Sequence, residues 1–429
     1  MRFLGIGDSC DLGALYLRLL AEGHEAKVHV ANPLCHGTLA GLVPRVDDWK
    51  AELDWLKAAG TDGIILFENV AERRGALQDQ LRREGFHVIG GSAYGDRLEN
   101  DRGHAQEILR GIGLSICPVT AFSDRAKAIQ FLRERPGRYV LKFNAAYETY
   151  VGQLADGRDV LAFLTGLPPQ GEEESFILME HVDGVEMGVG AYFDGEKFLS
   201  PACLDWEHKR FFPGDLGELT GEMGTIVTYE RTARFHALTL GRMEGLLRDG
   251  GYCGYINLNT IVNEQGIWPL EFTCRFGYPG YAILDPLQRT RWSALFHALV
   301  TRSMERFETH PGFSAGVVLS TPPFPYQRPD IDVPVGLPVI CDEALNDDDR
   351  RHLHFGEVGM QNGQLVTSGA YGWTMVVTGT GSSIADAQAR ANRLAARITI
   401  PNVRYRLDIG NRLIAGDFAR VEALGLVAN

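Results

Sequence analysis

The segment from Gly254 to Gly280 holds the residues whose types and spacing are best suited to chemistry. An Asn-Glu-Gln-Gly turn at Asn263 to Gly266 separates two alternating runs, and the second ends in Glu271, Thr273 and Arg275, which share a face at period two. Asn257 and Asn259 share a face of the first run in the same way. A carboxylate flanked by small oxygen ligands and followed by a fixed cation suits magnesium on a nucleotide phosphate, because this hard ion takes oxygen ligands and keeps phosphate and water as the others. The same alternation also describes the solvated face of an antiparallel hairpin. Taken alone, it leaves both readings open.

The elements that must position these residues follow from periodicity. Strands are expected at Phe3 to Ile6, Ala26 to Val30, Gly63 to Phe67 and His87 to Ile89, with helical spacing over Leu12 to Glu22, which together read as a doubly wound parallel sheet. Its first loop, Gly5 to Gly13, is glycine-rich but lacks the GxGxxG spacing, and Asp8 and Asp11 would repel a phosphate, so it reads as a tight turn with a polar ligand contact. Asp101 is placed to cap a helix running through Leu109, and Tyr139 to Phe143 is a strand carrying Lys142. Phe176 to Glu186 reads as an apolar strand followed by an acidic turn, and Glu207 to Arg210 as four polar residues after a strand. The chain from about Phe313 carries strands at Ala315 to Leu319 and Tyr371 to Thr378 and a helix from Ile384 to Ile398.

Composition narrows the class. At 429 residues the chain is long for one domain, and its formal charge of −13 leaves no general basic surface for nucleic acid or an anionic membrane. Seven cysteines, at 10, 35, 117, 203, 253, 274 and 341, show no CxxC spacing and read as reduced thiols. No run of eighteen apolar residues occurs, and Met1 to Cys10 lacks the basic region and long apolar core of an export signal, so a cytoplasmic location is expected.

Glu271 to Gly280, reading EFTCRFGYPG, resembles the metal strand of glycinamide ribonucleotide synthetases in the ATP-grasp superfamily, which ends Glu-Phe-Asn-Cys-Arg-Phe-Gly-Asp-Pro-Glu. Glu207-His208-Lys209-Arg210 resembles the family's Asp-His-Lys-Arg segment, and Leu219 to Gly224 its Asn-Thr-Gly-Gly-Met-Gly loop. Val366 to Gly369 and Val376 to Gly381 keep the family's pattern further on. The resemblance implies an ATP-grasp fold of α/β and α+β character, with an N-terminal doubly wound domain over 1–100, an ATP-grasp domain over 101–312 with a small lid at about 118–182, and a mixed α/β C-terminal domain over 313–429.

What the resemblance implies for the site is specific. ATP and Mg²⁺, with Mn²⁺ as a substitute, would meet Lys142 and Arg102 at the phosphates, Glu180 and Val182 at the adenine edge, and Glu186 at the ribose. Glu271, Thr273 and Asn259 would hold the metal, and Lys209 and Arg275 would neutralise charge during catalysis. Glu207, His208, Gly221, Met223, Gly224, Asp8 and Asp11 would line the substrates, a small carboxylate such as an amino acid and an amine.

Three departures from the family pattern stand out, one at the nucleotide phosphates and two on the substrate side. The phosphate loop, Asn144 to Gly152, has one glycine and no lysine; the family's Gly-Gly-Arg-Glu-His is Gly7-Asp8-Ser9-Cys10-Asp11; and its Gly-Pro-Glu-Ala-Pro is Phe67-Glu68-Asn69-Val70-Ala71. The expected activity is therefore amide formation through an acyl-phosphate with a divergent amine. The alternatives are a true phosphoribosylamine–glycine ligase, for which Arg73 and Arg74 would restore a phosphate site by turning inward, and a non-catalytic ATP-binding protein.

Overall fold

The computed structural model describes residues 1–68, 74–143, 149–168 and 175–428. The chain forms two compact units: Met1–Glu107, Glu186–Thr260 and Leu270–Asn429 make up one, and Ile108–Val185 with Ile261–Pro269 the other.

The larger unit contains two sheets of opposite style. Four parallel strands lie in the order Glu25–Val30, Arg2–Gly7, Gly63–Phe67, His87–Ile89. Their apolar runs, Leu4 and Ile6 against Ile65, Phe67 and Val88, are buried together, as parallel strands covered on both faces require. The first strand leads through a turn into the helix Gly13–Ala21, and the turn lies at the carboxyl end of the strand, where open α/β sheets take ligands.

The second sheet has eight strands in the order Gly266–Thr273, Gly254–Asn263, Val185–Phe193, Cys203–Glu207, Gly224–Thr228, Phe313–Ser320, Trp373–Gly381, Leu353–Phe355. Three strands from the C-terminal region thus extend this sheet, while Ile340–Cys341 with Ile398–Thr399 and Val358–Gln361 with Gln364–Thr367 form two small sheets of their own. The helix Ile384–Ala395 is capped by Ser383, whose Oγ accepts from Asp386 N at 3.1 Å.

The smaller unit is built on an antiparallel sheet ordered Val119–Phe122, Phe176–Glu180, Tyr139–Phe143, Thr149–Val151. Leu141, Phe176 and Leu178 bury their side chains with Ala128 and Leu132 of the helix Arg125–Glu134 and Val160 and Leu164 of the helix Arg158–Gly166. Fully burying each such aliphatic or aromatic side chain contributes about 1.5–3 kcal/mol.

Candidate functional site

Four neighbouring strands of the eight-stranded sheet each deliver one polar residue to the same place. Glu271 lies on Gly266–Thr273, Asn259 on Gly254–Asn263, Glu186 on Val185–Phe193 and Glu207 on Cys203–Glu207. Three of these are carboxylates, and the Lys209 ammonium stands among them, 3.0 Å from Glu207 Oε2, 3.1 Å from Glu271 Oε1 and 3.6 Å from Glu186 Oε1. Burial alone would lower the Lys209 pKa, but Glu207, Glu271 and Glu186 together raise it well above its ordinary value, so this side chain stays charged.

Asn259 Nδ2 donates to Glu186 Oε1 at 2.8 Å and to Glu207 Oε2 at 3.3 Å, while its Oδ1 accepts from Thr260 N at 3.0 Å. It therefore braces two carboxylates and turns its oxygen to the backbone. Arg102, at the start of the helix Arg102–Gly111, approaches Glu271 Oε2 at 3.9 Å. The start of that helix is set by Asp101, whose Oδ1 accepts from His104 N at 2.9 Å.

One step along the same strands, at period two, a second tier lines a small cavity of about 50 Å³: Thr273, Asn257 and Asp205, with Glu222 and Tyr278. Asp205 faces Gly188 across the pairing of the two strands, and a Cβ at position 188 would collide with the Asp205 carboxylate. The glycine is needed for that close approach. Asn257 Nδ2 donates to Asp205 Oδ2 at 2.6 Å, and Asp205 Oδ1, shielded from water, has no hydrogen-bond partner among the described residues. Burial, followed by the neighbouring Glu207, pushes Asp205 upward. Glu222 stands where the resembled loop carries glycine; it accepts from the backbone N–H groups of His208 at 3.0 Å, Met223 at 3.2 Å and Gly224 at 3.0 Å.

The first loop forms another acidic group. Glu68 is buried, and its carboxylate accepts from Asp11 N at 2.8 Å and Tyr16 Oη at 2.6 Å. Burial and then Asp11 push Glu68 up to about 8, and burial raises Asp11 as well, against the opposing Ser9 hydrogen bond at 2.6 Å. Arg74 is turned inward, with Nη2 2.8 Å from Asp8 Oδ1. Arg73, Asn69 to Ala71 and Asn144 to Glu148 lie outside the described residues.

Several expected site residues are engaged by partners outside the carboxylate row. The metal strand ends at Thr273, so period two does not extend to Arg275; its guanidinium instead reaches Glu99 Oε1, with Nη2 at 3.1 Å and Nε at 3.2 Å. His208 is buried, with Nε2 accepting from Gly410 N at 2.9 Å, and burial followed by Arg406 lowers it to about 4. The Met223 side chain packs in the core against Phe211 and Phe324. Gly221 lies under Trp373, where a Cβ would make a tight 3.2 Å contact with the ring, and a Cβ at Gly224 would come within 2.5 Å of Gly316 O. In the smaller unit, Lys142 is half-buried on its strand in register with Ile177 and Thr149, Glu180 N donates to Pro118 O at 3.0 Å, and Val182 lies two residues beyond the end of the Glu180 strand.

Asp205, Glu222 and Glu68 are not singled out as site residues by the sequence, and Asn257 is read there only as sharing a face with Asn259. A glutamate in place of a loop glycine was the available signal for Glu222, and period two from Glu207 and Asn259 for Asp205 and Asn257.

Among the described residues no three His, Cys, Asp or Glu side chains are gathered to hold a metal by themselves. The Glu186, Glu207 and Glu271 oxygens are nevertheless the donor type a hard divalent ion takes, and magnesium is commonly held by one or two carboxylates with phosphate oxygens completing the set. The residues present fit that use.

Fold and site together define the class, an ATP-grasp ligase. Within it, residues 100–281 match the family described as phosphoribosylglycinamide synthetase, ATP-grasp (A) domain. The chain is 26% identical over 353 residues to a phosphoribosylamine–glycine ligase of Methanocorpusculum labreanum, covering 79% of each chain. It is 25% identical over 437 residues to that of Listeria monocytogenes, covering 96% of this chain and all of the relative, at 100%. The crystal structure of phosphoribosylamine–glycine ligase from Thermotoga maritima superposes with a TM-score of 0.68 at 20% identity, over 95% of this chain and 100% of that one. The biotin carboxylase domain of Hydrogenobacter thermophilus 2-oxoglutarate carboxylase, solved with MgADP and bicarbonate, superposes with a TM-score of 0.64 at 10% identity, over 94% and 91% of the two chains. These two likenesses concern the fold.

Proposed function

We propose that this protein is an ATP-dependent carboxylate–amine ligase, similar to glycinamide ribonucleotide synthetase, whose amine is cationic or neutral and not a sugar phosphate. The carboxylate row around Lys209 carries the ligase reading. Glu271, with Glu186 and Glu207 beside it, would hold magnesium, and Asn259 and Thr273 would flank it; when bound, the ion would neutralise phosphate charge. Lys142 and Arg102 would contact the phosphates, and Glu180 and Val182 the adenine edge.

In the reaction, a carboxylate oxygen attacks the γ-phosphorus and ADP leaves with the bonding pair. The amine nitrogen then attacks the acyl carbon, phosphate leaves, and the nitrogen loses a proton. Lys209 would neutralise the charge that develops at the transferring phosphoryl group, an electrostatic contribution from a cation already held in place. Arg275, held by Glu99, would act the same way on the substrate side. The divergent amine is supported by the first loop, where Ser9 and Asp11 stand at the positions of the family's arginine and histidine and Asp8 and Glu68 add carboxyl groups.

A second reading, a phosphoribosylamine–glycine ligase proper, is favoured by the names of the relatives and by Arg74 being turned toward the first loop. The deciding experiment is ADP release with Mg-ATP across a panel of amino acids and amines that includes phosphoribosylamine with glycine. Glycinamide ribonucleotide formed with a kcat on the order of 1 per second or more would establish the second reading. ADP release with another pair alone would support the first, and release with none would refute both.

A further inference from the structure

At the opposite end of the first helix from the Asp8 to Asp11 loop, the larger unit carries a solvent-open cavity of about 850 Å³ whose charge has the other sign. The nine residues of that helix put the two ends about 13 Å apart. Five arginines line the cavity, Arg18, Arg289, Arg291, Arg351 and Arg390, against three carboxylates, Glu22, Asp285 and Asp348, a surplus of two positive charges in a chain whose overall charge is −13.

The carboxylates are already engaged. Asp285 pairs with Arg18 at 2.6 Å and Asp348 with Arg390 at 2.5 Å. Glu22 accepts from Trp292 N and Ser293 N, each at 3.2 Å, at the start of the helix Trp292–Thr301. Arg289 reaches only the exposed Glu308, at 3.7 Å, and Arg291 and Arg351 make no ion pair among the described residues. The Gln288 amide on the same wall is shielded from water, yet neither its oxygen nor its nitrogen has a hydrogen-bond partner among the described residues.

The wall is held in place by its backbone. Arg289 N and Thr290 N donate to Glu308 O at 3.0 and 3.1 Å, and His310 N donates to Leu287 O at 2.7 Å. Gln288 pairs with Thr309 as a β-bridge.

We propose that this cavity binds a phosphorylated small molecule of sugar-phosphate to nucleotide size, at a site separate from the ligase reaction. Guanidinium groups present paired N–H donors that match phosphate oxygens, and Arg291 and Arg351 have such donors to offer. The Gln288 amide supplies a neutral donor and acceptor for a hydroxyl or ring nitrogen. The volume lies within the range of small-molecule sites, about 300–1,000 Å³. It is too small for a nucleic-acid duplex, whose phosphates would also meet the acidic remainder of the surface.

The test is calorimetric titration of the intact protein with inorganic pyrophosphate and with ribose 5-phosphate, the nucleotide site first being saturated with a non-hydrolysable ATP analogue and magnesium. Saturable binding is expected in the parent and in Arg74→Ala, and a weakening of at least about tenfold in the double variant Arg291→Glu, Arg351→Glu. The single variants Arg291→Gln and Arg351→Gln carry the comparison if the charge reversal does not fold. No saturable binding by the parent, or equal affinity in the arginine variants, would overturn the proposal. Because no turnover is measured, the outcome does not depend on the ligase reading.

Discussion

Lys209 Nζ lies 3.1 Å from Glu271 Oε1, and this pair joins the loop after one strand to the edge strand three places away in the same sheet. The ammonium stands where the carboxylates of three strands converge, which makes the charge of Glu271, and not only its shape, the quantity to vary.

Glu271→Gln keeps the shape and removes the charge. Magnesium-dependent turnover is expected to fall by at least about 10²-fold, as for loss of a transition-state electrostatic group. Stability should change by only about 0–1 kcal/mol, because the pair is partly exposed and Lys209 keeps Glu207 at 3.0 Å. Steady-state ADP release and thermal melting read the two effects; full turnover in the variant would reduce the row to a structural feature.

Lys142→Ala should weaken ATP binding by about 1–3 kcal/mol, the range for a lost charge-assisted hydrogen bond. The side chain sits on the strand Tyr139–Phe143, and its removal leaves the buried Leu141 and Val140 packing untouched. Calorimetry with a non-hydrolysable analogue is the measurement, and equal affinity in variant and parent would remove Lys142 from the site.

Stability should depend on pH through Glu68. Its folded-state pKa, pushed by burial and Asp11 to about 8 from an ordinary 4.5, means the folded protein holds a proton that the unfolded chain releases. That contribution is complete below about pH 4.5 and is lost as pH rises to 8, at up to about 1.4 kcal/mol per pH unit. His208, lowered to about 4 from 6.5, acts with the opposite sign, its contribution being lost as pH falls from 6.5 to 4. Between pH 6.5 and 8 the carboxyl effect is therefore the one to measure. Denaturant melts of the parent and Glu68→Gln over that interval should show a shallower decline in the variant; parallel curves would contradict the assignment.

Asp8 and Arg74 provide a test of the amine. With Nη2 2.8 Å from Asp8 Oδ1, Arg74 has its charge matched by a carboxylate in the first loop. Asp8→Asn removes that match and should lower the KM for a phosphorylated amine by about 3- to 10-fold, equivalent to roughly 0.7–1.4 kcal/mol. A parent enzyme that already uses phosphoribosylamine efficiently, and a variant that uses it less well, would place Asp8 in the binding of that substrate.

Much of the architecture was legible in local pattern. The parallel strands Arg2–Gly7 and Gly63–Phe67 read as apolar runs because both faces are covered, and the hairpin read as alternation because one face carries Asn257, Asn259, Glu271 and Thr273. Arg275 did not follow that alternation: once the strand ends at Thr273 the periodicity no longer governs direction, and the Glu99 carboxylate does. His208 and Met223 sit in a polar, glycine-containing segment that reads as exposed, yet both are buried, His208 against Gly410 and Met223 against Phe324.

The sequence by itself determined the kinds of elements, their order, and the presence of a carboxylate-rich hairpin, because side-chain periodicity and turn chemistry act over a few residues. Three-dimensional packing is what makes Glu186, Glu207 and Glu271 share one ammonium, sets Asp205 one tier beneath them, closes Glu68 on Asp11, and brings arginines from four separated segments to one cavity. Those neighbours are set by strand order and register across tens to hundreds of residues. Burial then fixes their charge states, because each carboxylate or guanidinium taken from water must find its counterpart in space rather than in sequence.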